Sequence, residues 1–211
     1  MTTIDAVVLR ADNGTRLPLD PARWHAEPTP AEERLLDTMA GPVLDVGCGP
    51  GRFVIGLAQR GTVALGVDPA PAAVALCRSR GAPVLQKSVF DPLPGQGRWR
   101  TVLLADGNIG IGGDPERLLR RCGELLAGDG TVVVEVEPRA GAVDGWRPYR
   151  ARLERGQSRG PWFCWAVVGA DAIAELARAA GLRLLRLDRI AAEGRCFAHL
   201  GGNGGTPHAG T

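Results

Sequence analysis

The sequence predicts an α/β fold built on a mostly parallel sheet with helices on both faces. Three observations carry this. From Val43 to Glu137, short apolar runs of strand length alternate with segments whose apolar residues recur at helical spacing. That alternation is the pattern of parallel strands joined by right-handed crossovers. The first run, Val43-Leu44-Asp45-Val46, ends in a glycine turn that opens a helix. The segment 138–169 then breaks the rhythm and is far longer than an ordinary connection, so it reads as an insertion carried by the core. The 211 residues are enough for one α/β domain with a sizeable core.

The elements follow in order. Val7 to Leu17 reads as a hairpin, with Asn13-Gly14 as its two-residue turn. Pro18 restricts the second strand to an edge. In Thr29-Pro30-Ala31-Glu32, Thr29 is an N-cap, Pro30 the first helical residue and Glu32 the return partner of a capping box. Leu35, Leu36 and Met39 form that helix's apolar face, and Gly41 stops it. Residues 1–41 are thus a hairpin and cap helix ahead of a domain over 42–200. Strands are predicted at 43–47, 62–67, 83–87, 101–106 and 131–137, and helices at 51–60, 71–80 and 115–127. The third helix has Asp114 as N-cap and an apolar stripe of Leu118, Leu119, Cys122, Leu125 and Leu126. Within 138–169, Tyr149, Ala151 and Leu153 alternate with Arg150, Arg152 and Glu154. The run Trp162 to Val168 follows a glycine-flanked turn, giving an inserted β-arm. Asp171 is read as the cap of a helix bearing Ile173, Leu176, Ala177 and Ala180. Strands at 183–190 and 195–200 follow. Residues 201–211 are rich in Gly without apolar anchors, the composition of a disordered tail.

The first glycine turn holds the chemistry. Its glycines are Gly47, Gly49 and Gly51. A dinucleotide fingerprint needs its third glycine one position later, where this chain has Arg52. Glycine removes the Cβ that would keep a ligand off the backbone. The helix that follows aims free N–H groups and a positive dipole end at whatever sits over the loop. A second apolar run, Val63 to Val67, ends in Asp68, about 20 residues on, the separation at which an acid accepts both hydroxyls of a ribose.

The block Val43 to Arg52 resembles motif I of class I S-adenosylmethionine-dependent methyltransferases: apolar residues, an acid, then G-x-G-x-G. The resemblance runs most clearly from Val43 to Glu137. It implies a Rossmann-like, seven-stranded sheet whose last strand is antiparallel, S-adenosyl-L-methionine as cofactor, and methyl transfer as the activity. It assigns Asp45, Gly47, Cys48, Gly49 and Gly51 to the methionine side and Asp68, followed by Pro69, to the ribose. Phe90 and Asp91 fall near the adenine, and Asp106 or the Ala105 carbonyl would receive the methionine ammonium. Asn108 lies in the same glycine-rich strand end. Read from residue type alone, Cys48 is a small side chain, Phe90 is equally a core residue, and Asp91 before Pro92 is equally a turn residue.

The acceptor is narrowed by what is missing. Asp106-Gly107-Asn108-Ile109 stands where enzymes that methylate exocyclic base nitrogens in DNA carry Asn or Asp, then Pro-Pro and an aromatic. The net charge of +2 does not call for a nucleic-acid partner. The five cysteines, Cys48, Cys77, Cys122, Cys164 and Cys196, are odd in number and widely spaced. They suggest neither a zinc site nor a disulfide framework. No apolar run suits a signal peptide or a membrane span, so a cytoplasmic, reduced protein is expected. A sulfonium is already an activated donor, so positioning and exclusion of water are the main demands. His25 is the best candidate base; the bland reading is an exposed loop histidine. Trp24, Trp146, Trp162 and Trp165 lie outside the shared core and would wall an apolar pocket for a planar acceptor. They would equally pack the arm onto the sheet, or onto a second copy in a homodimer. The arm's Arg139, Arg147, Arg150, Arg152, Arg155 and Arg159 suit an acidic ligand or a nucleic-acid backbone, and equally a solvated strand face. The combined expectation is methyl transfer to oxygen or nitrogen of a small molecule. The alternatives are an RNA or protein methyltransferase docking through the arm, or a non-catalytic binder of the cofactor. Trp24-His25 and the Trp162–Trp165 strand are expected to meet over the carboxyl ends of the parallel strands.

Overall fold

A computed structural model describes residues 7–138 and 145–202. In chain order the elements are β1 (Val7–Ala11), β2 (Arg16–Leu19), α1 (Pro21–His25), α2 (Pro30–Asp37), β3 (Val43–Val46), α3 (Arg52–Gln59), β4 (Ala64–Asp68), α4 (Pro71–Ser79), β5 (Val84–Gln86) and β6 (Trp99–Leu104). A 3₁₀ segment (Asn108–Gly113) leads to α5 (Pro115–Leu125), β7 (Leu126–Val136), β8 (Trp146–Arg155), β9 (Ser158–Arg159), β10 (Phe163–Val168), α6 (Ile173–Ala179), β11 (Leu182–Ile190) and β12 (Arg195–Gly202).

Seven strands form the main sheet in the order β11-β12-β7-β6-β3-β4-β5. β3 through β7 pair in parallel, and β12 runs antiparallel to both of its neighbours. Side chains on successive strand residues point to opposite faces. Leu44, Val102, Leu104, Val132 and Val134 enter one apolar layer with the buried stripes of α5 and α6. Val43, Leu103 and Val133 enter the other, with α2, α3 and α4. Both faces are covered, which is why these strands read as unbroken apolar runs rather than as alternation. The capping box at Thr29 forms as the sequence predicts, with Glu32 N–H donating to Thr29 Oγ1 and Thr29 N–H to Glu32 Oε2.

The structure departs from expectation in several places. The N-terminal hairpin turns through three residues, not two. Gly14 N–H donates to Ala11 O, Thr15 N–H to Asn13 Oδ1, and Gly14 takes φ +90°. This is a three-residue loop closed by a left-handed glycine. The hairpin also does not stand apart from the inserted arm. β1 pairs β8 antiparallel along its length, and a second sheet runs β10-β8-β1-β2, with β9 on β8. β2, bearing Pro18, is its edge, as proline requires. The cap of α6 is Ala172, without a side-chain hydrogen bond, rather than Asp171. β12 continues to Gly202, so Gly201 and Gly202 belong to the sheet; the remainder of the expected tail, 203–211, lies outside the described residues. Arg139 and Asp144 of the arm lie outside them too.

Candidate functional site

Five strand ends face the same side: those of β3, β4, β5 and β6, and that of β7, beside which antiparallel β12 begins. Ligands of open α/β sheets bind on this side. After β3 the backbone turns through Gly47 (φ +73°) and Gly49 (φ +53°), and Gly51 (φ +84°) caps α3. The two inner glycines do different work. A Cβ on Gly47 would lie 2.7 Å from Asn108 Nδ2, whereas one on Gly49 would meet nothing within 4 Å. Gly47 is therefore needed for protein packing. Gly49 presents bare backbone to open space, where a side chain would exclude a ligand.

Asp68 ends β4 and is buried. Its Oδ2 accepts from Gly49 N–H at 3.1 Å and its Oδ1 from Ala70 N–H at 2.8 Å; Pro69 between them is exposed. Asp45 is 2% exposed, and its Oδ2 has no hydrogen-bond partner. Burial pushes its carboxyl up to about 7; the Asp106 and Asp68 carboxylates add to this, and Arg52 opposes it. Cys48 is buried against Gly66, and burial raises its thiol far above the ordinary range. It is a packing residue, not a nucleophile.

The other strand ends are tied mostly to the protein itself. Asn108 donates through Nδ2 to Val46 O (2.8 Å) and Gly47 O (3.0 Å), so it braces the glycine loop. The Ala105 carbonyl accepts Asn108 N–H. Asp91 accepts Ser88 N–H as a turn residue. The Arg117 guanidinium sits 4.3 Å over the centroid of Phe90, whose edge also approaches Gly112. Asp106 has a left-handed backbone (φ +52°), and both its carboxylate oxygens are held by guanidinium groups, Oδ2 by Arg52 at 2.7 Å and Oδ1 by Arg195 at 3.0 Å.

The aromatic residues are distributed rather than clustered. Trp24 is half-buried and His25 exposed. The His25 carbonyl accepts from Arg80 Nη2 (3.3 Å) while Arg80 Nη1 reaches Pro50 O (3.2 Å), which ties the cap's main chain to the glycine loop. Trp165 packs on Gly110 of the 3₁₀ segment and edge-to-face on Phe163. Trp162 lies instead under Arg152 and Arg150, 4.7 and 5.9 Å from their guanidinium carbons. Trp162 precedes β10 and stacks with arginines of β8, whereas Trp165 packs on the 3₁₀ segment, so they do not form one wall. Both segments are anchored at the carboxyl side of the sheet, but no hydrogen bond or stacked ring joins Trp24 or His25 to either tryptophan of the arm. His199 on β12 is buried beside Asp188 and Arg186 of β11 and is structural.

Residue-by-residue reading did not place Glu32, Arg52, Glu135 and Arg195 at the site, all joined to Asp106 or to one another. Glu32 was visible only as a capping-box partner, and Arg52 only as the residue that replaces a dinucleotide loop's third glycine.

The sheet order, the antiparallel strand beside β7 and the glycine loop after β3 define a class I, Rossmann-like methyltransferase architecture. The sequence over residues 22–187 matches the methyltransferase domain family, and the chain belongs to that family. No curated protein matches it. Among solved structures, it is similar to an S-adenosylmethionine-dependent methyltransferase from Bacteroides fragilis in complex with S-adenosyl-L-homocysteine. The TM-score is 0.78 at 19% identity, over 94% of this chain and 88% of that one. It is also similar to the 1,6-didemethyltoxoflavin-N1-methyltransferase of Burkholderia thailandensis (TM-score 0.60, 20% identity, 85% and 80% covered). A third is the CcbJ methyltransferase of Streptomyces caelestis (0.63, 19%, 85% and 92%).

Proposed function

We propose that the protein transfers a methyl group from S-adenosyl-L-methionine to an oxygen or nitrogen of a small-molecule acceptor. The observation that carries this is the bare backbone at Gly49, hydrogen-bonded to an acid at the next strand end. The residues present fit the cofactor. Space is open over the loop, Asp45 holds an unpartnered oxygen, and the Asp68 carboxylate at the next strand end suits the hydroxyls of a ribose. Bound there, the cofactor supplies an activated methyl group. The chain's own contribution is placement: Asp68 would accept hydroxyls, the α3 N-terminus would face the carboxylate, and Asn108 holds the loop in shape, while the N–H groups of Gly47, Cys48, Gly49 and Gly51 bond within the protein. Such positioning supplies several kcal/mol without any acid or base, and His25, exposed, is not required as one.

A small acceptor is favoured over RNA by the modest net charge of +2. In the arm, Glu154 pairs with Arg152 (2.6 Å), and Arg16 (3.8 Å) and Arg10 (4.0 Å) of the N-terminal hairpin share it. The likeness to an enzyme crystallised with 1,6-didemethyltoxoflavin supports the same class. No helix among the described residues is long and apolar enough to cross a membrane, and all five cysteines are free; a cytoplasmic setting completes the reading.

Calorimetric titration with the cofactor tests it. Hydrogen bonds to a charged group contribute roughly 1.5–3 kcal/mol, so Asp68→Ala weakens binding at least about tenfold. Unchanged affinity would overturn the assignment. Transfer of a labelled methyl group to a panel of small acceptors separates an enzyme from a non-catalytic binder.

A further inference from the structure

Three buried charges and the more exposed Asp106 close into a ring. Arg52, the first residue of α3, donates through Nη1 to Glu32 and through Nη2 to Asp106. Arg195, the first residue of β12, does the same with its own Nη1 and Nη2. Glu32 is 0% exposed, Arg52 3% and Arg195 4%. Two carboxylates and two guanidinium forks therefore alternate around a cycle, each arginine bridging both acids. Glu135 extends it, accepting from Arg195 Nε and Nη2 at 2.7 Å each and from the Asp106 N–H. The Arg52 and Arg195 interactions hold the Glu32 carboxyl below the usual carboxylate range against the opposing effect of burial.

The members come from four separate places: the cap helix α2, the residue that follows the glycine loop, the end of β6, and the start of β12. A second tie runs beside the ring, from Thr29 Oγ1 to Glu193 at 2.7 Å. A third, through Arg80, joins the cap's His25 carbonyl to Pro50 of the loop. Apolar residues of equal size would hold these elements together as firmly, because desolvation takes back much of what a buried ion pair gains. What charges add is register. A guanidinium fork satisfies two carboxylates only in one relative placement of their backbones. Here that placement includes a non-glycine residue in the left-handed region, Asp106, a conformation kept only where its surroundings impose it.

We infer that Glu32, Arg52 and Arg195 are positioning residues that register the N-terminal cap against the glycine loop and Asp106, so that docking of the cap and binding of the cofactor are a single coupled event. The inference rests on the S-adenosylmethionine reading of the loop. In this arrangement Asp106 is not a free acceptor for an ammonium group. It is a fixed charge whose position is set from α2 and β12, and the loop's movement at Arg52 is felt at Glu32.

The test uses the full chain and two gentle variants. Arg195→Lys replaces a fork that reaches two acids by a single ammonium. Glu32→Gln removes charge but keeps an acceptor for the capping box, in which glutamine is competent. Amide exchange and calorimetric titration with S-adenosyl-L-homocysteine are measured on each. In the wild type, the product is expected to protect residues 21–37 and 47–52 together. In both variants, 21–37 should exchange faster while α5 and α6 keep their protection, and affinity should fall at least tenfold. The double variant should bind no more weakly than the worse single one, as members of one ring are not additive. Unchanged affinity, or a freed cap with normal affinity, overturns the inference. Loss of protection in α5 and α6 in both variants overturns it as well, leaving the ring a brace for the whole fold. Failure of the wild type to bind S-adenosylmethionine or its product would instead sink the reading on which the inference rests.

Discussion

Asp45 shows how one residue carries a cost of the site into the stability of the chain. Its carboxyl is raised from 3.8 to about 7 by burial first, then by the Asp106 and Asp68 carboxylates. The folded protein therefore keeps a proton that the unfolded chain releases. Stability is present in full below the unfolded value, falls as pH rises between about 4 and about 7, and is flat above that. A shift of this direction at a fully buried group amounts to a few kcal/mol at most. Asp45→Asn should flatten the fall in Tm between about pH 4.5 and pH 7.5 in the unliganded protein. An identical pH slope in the variant would show that Asp45 is not the group responsible. Asp45 was legible beforehand because it stands inside a contiguous pattern, strand then acid then glycines. Arg52 was visible only as a residue out of place. Its partners at 32 and 106 and its counterpart at 195 are distant in sequence, and nothing in a local window links them.

At the scale of elements, the strands and helices of the core were readable because each buries a periodic apolar face. Where periodicity ran out, so did the reading. β7 begins at Leu126, several residues before its apolar run, because Leu126 pairs with Trp99 of β6; a pairing partner overrides the glycines at 128 and 130. The junction of the arm with the core is equally tertiary. A Cβ on Gly110 would lie 2.2 Å from the Ala166 carbonyl and 2.5 Å from Trp165 Nε1. Gly110→Ala should therefore push β10 off the 3₁₀ segment and destabilise by about 1–3 kcal/mol, the usual cost of overpacking. Faster amide exchange in β10, with β6 and β7 unchanged, is the expected result. Normal protection of β10 would mean that the contact yields without consequence.

At the scale of the molecule, the second sheet is the feature the sequence concealed. Both its halves were recognisable as strands, but pairing between an N-terminal hairpin and an arm inserted after β7 has no local sign. β1 is interior to that sheet, with β2 on one side and β8 on the other. Leu9→Pro removes a ladder donor from an interior strand and should cost about 3 kcal/mol or more. Exchange at β8 should accelerate while the main sheet stays protected. Equal loss in both sheets would show that they fold as one unit.

The same pairing sets an order of assembly on the ribosome. β1 and β2 emerge well before β8, which begins only at residue 146, so β1 must wait for its second partner. Until then the hairpin carries an open strand edge, a template for wrong partners, while the parallel core completes around it. Charged residues guard it in the interval: Arg10 and Arg16 sit directly opposite each other on the two strands, and Glu154, which joins them both, arrives with β8 itself. The strand that closes the hairpin's open edge is thus also the one that relieves the repulsion kept in the hairpin.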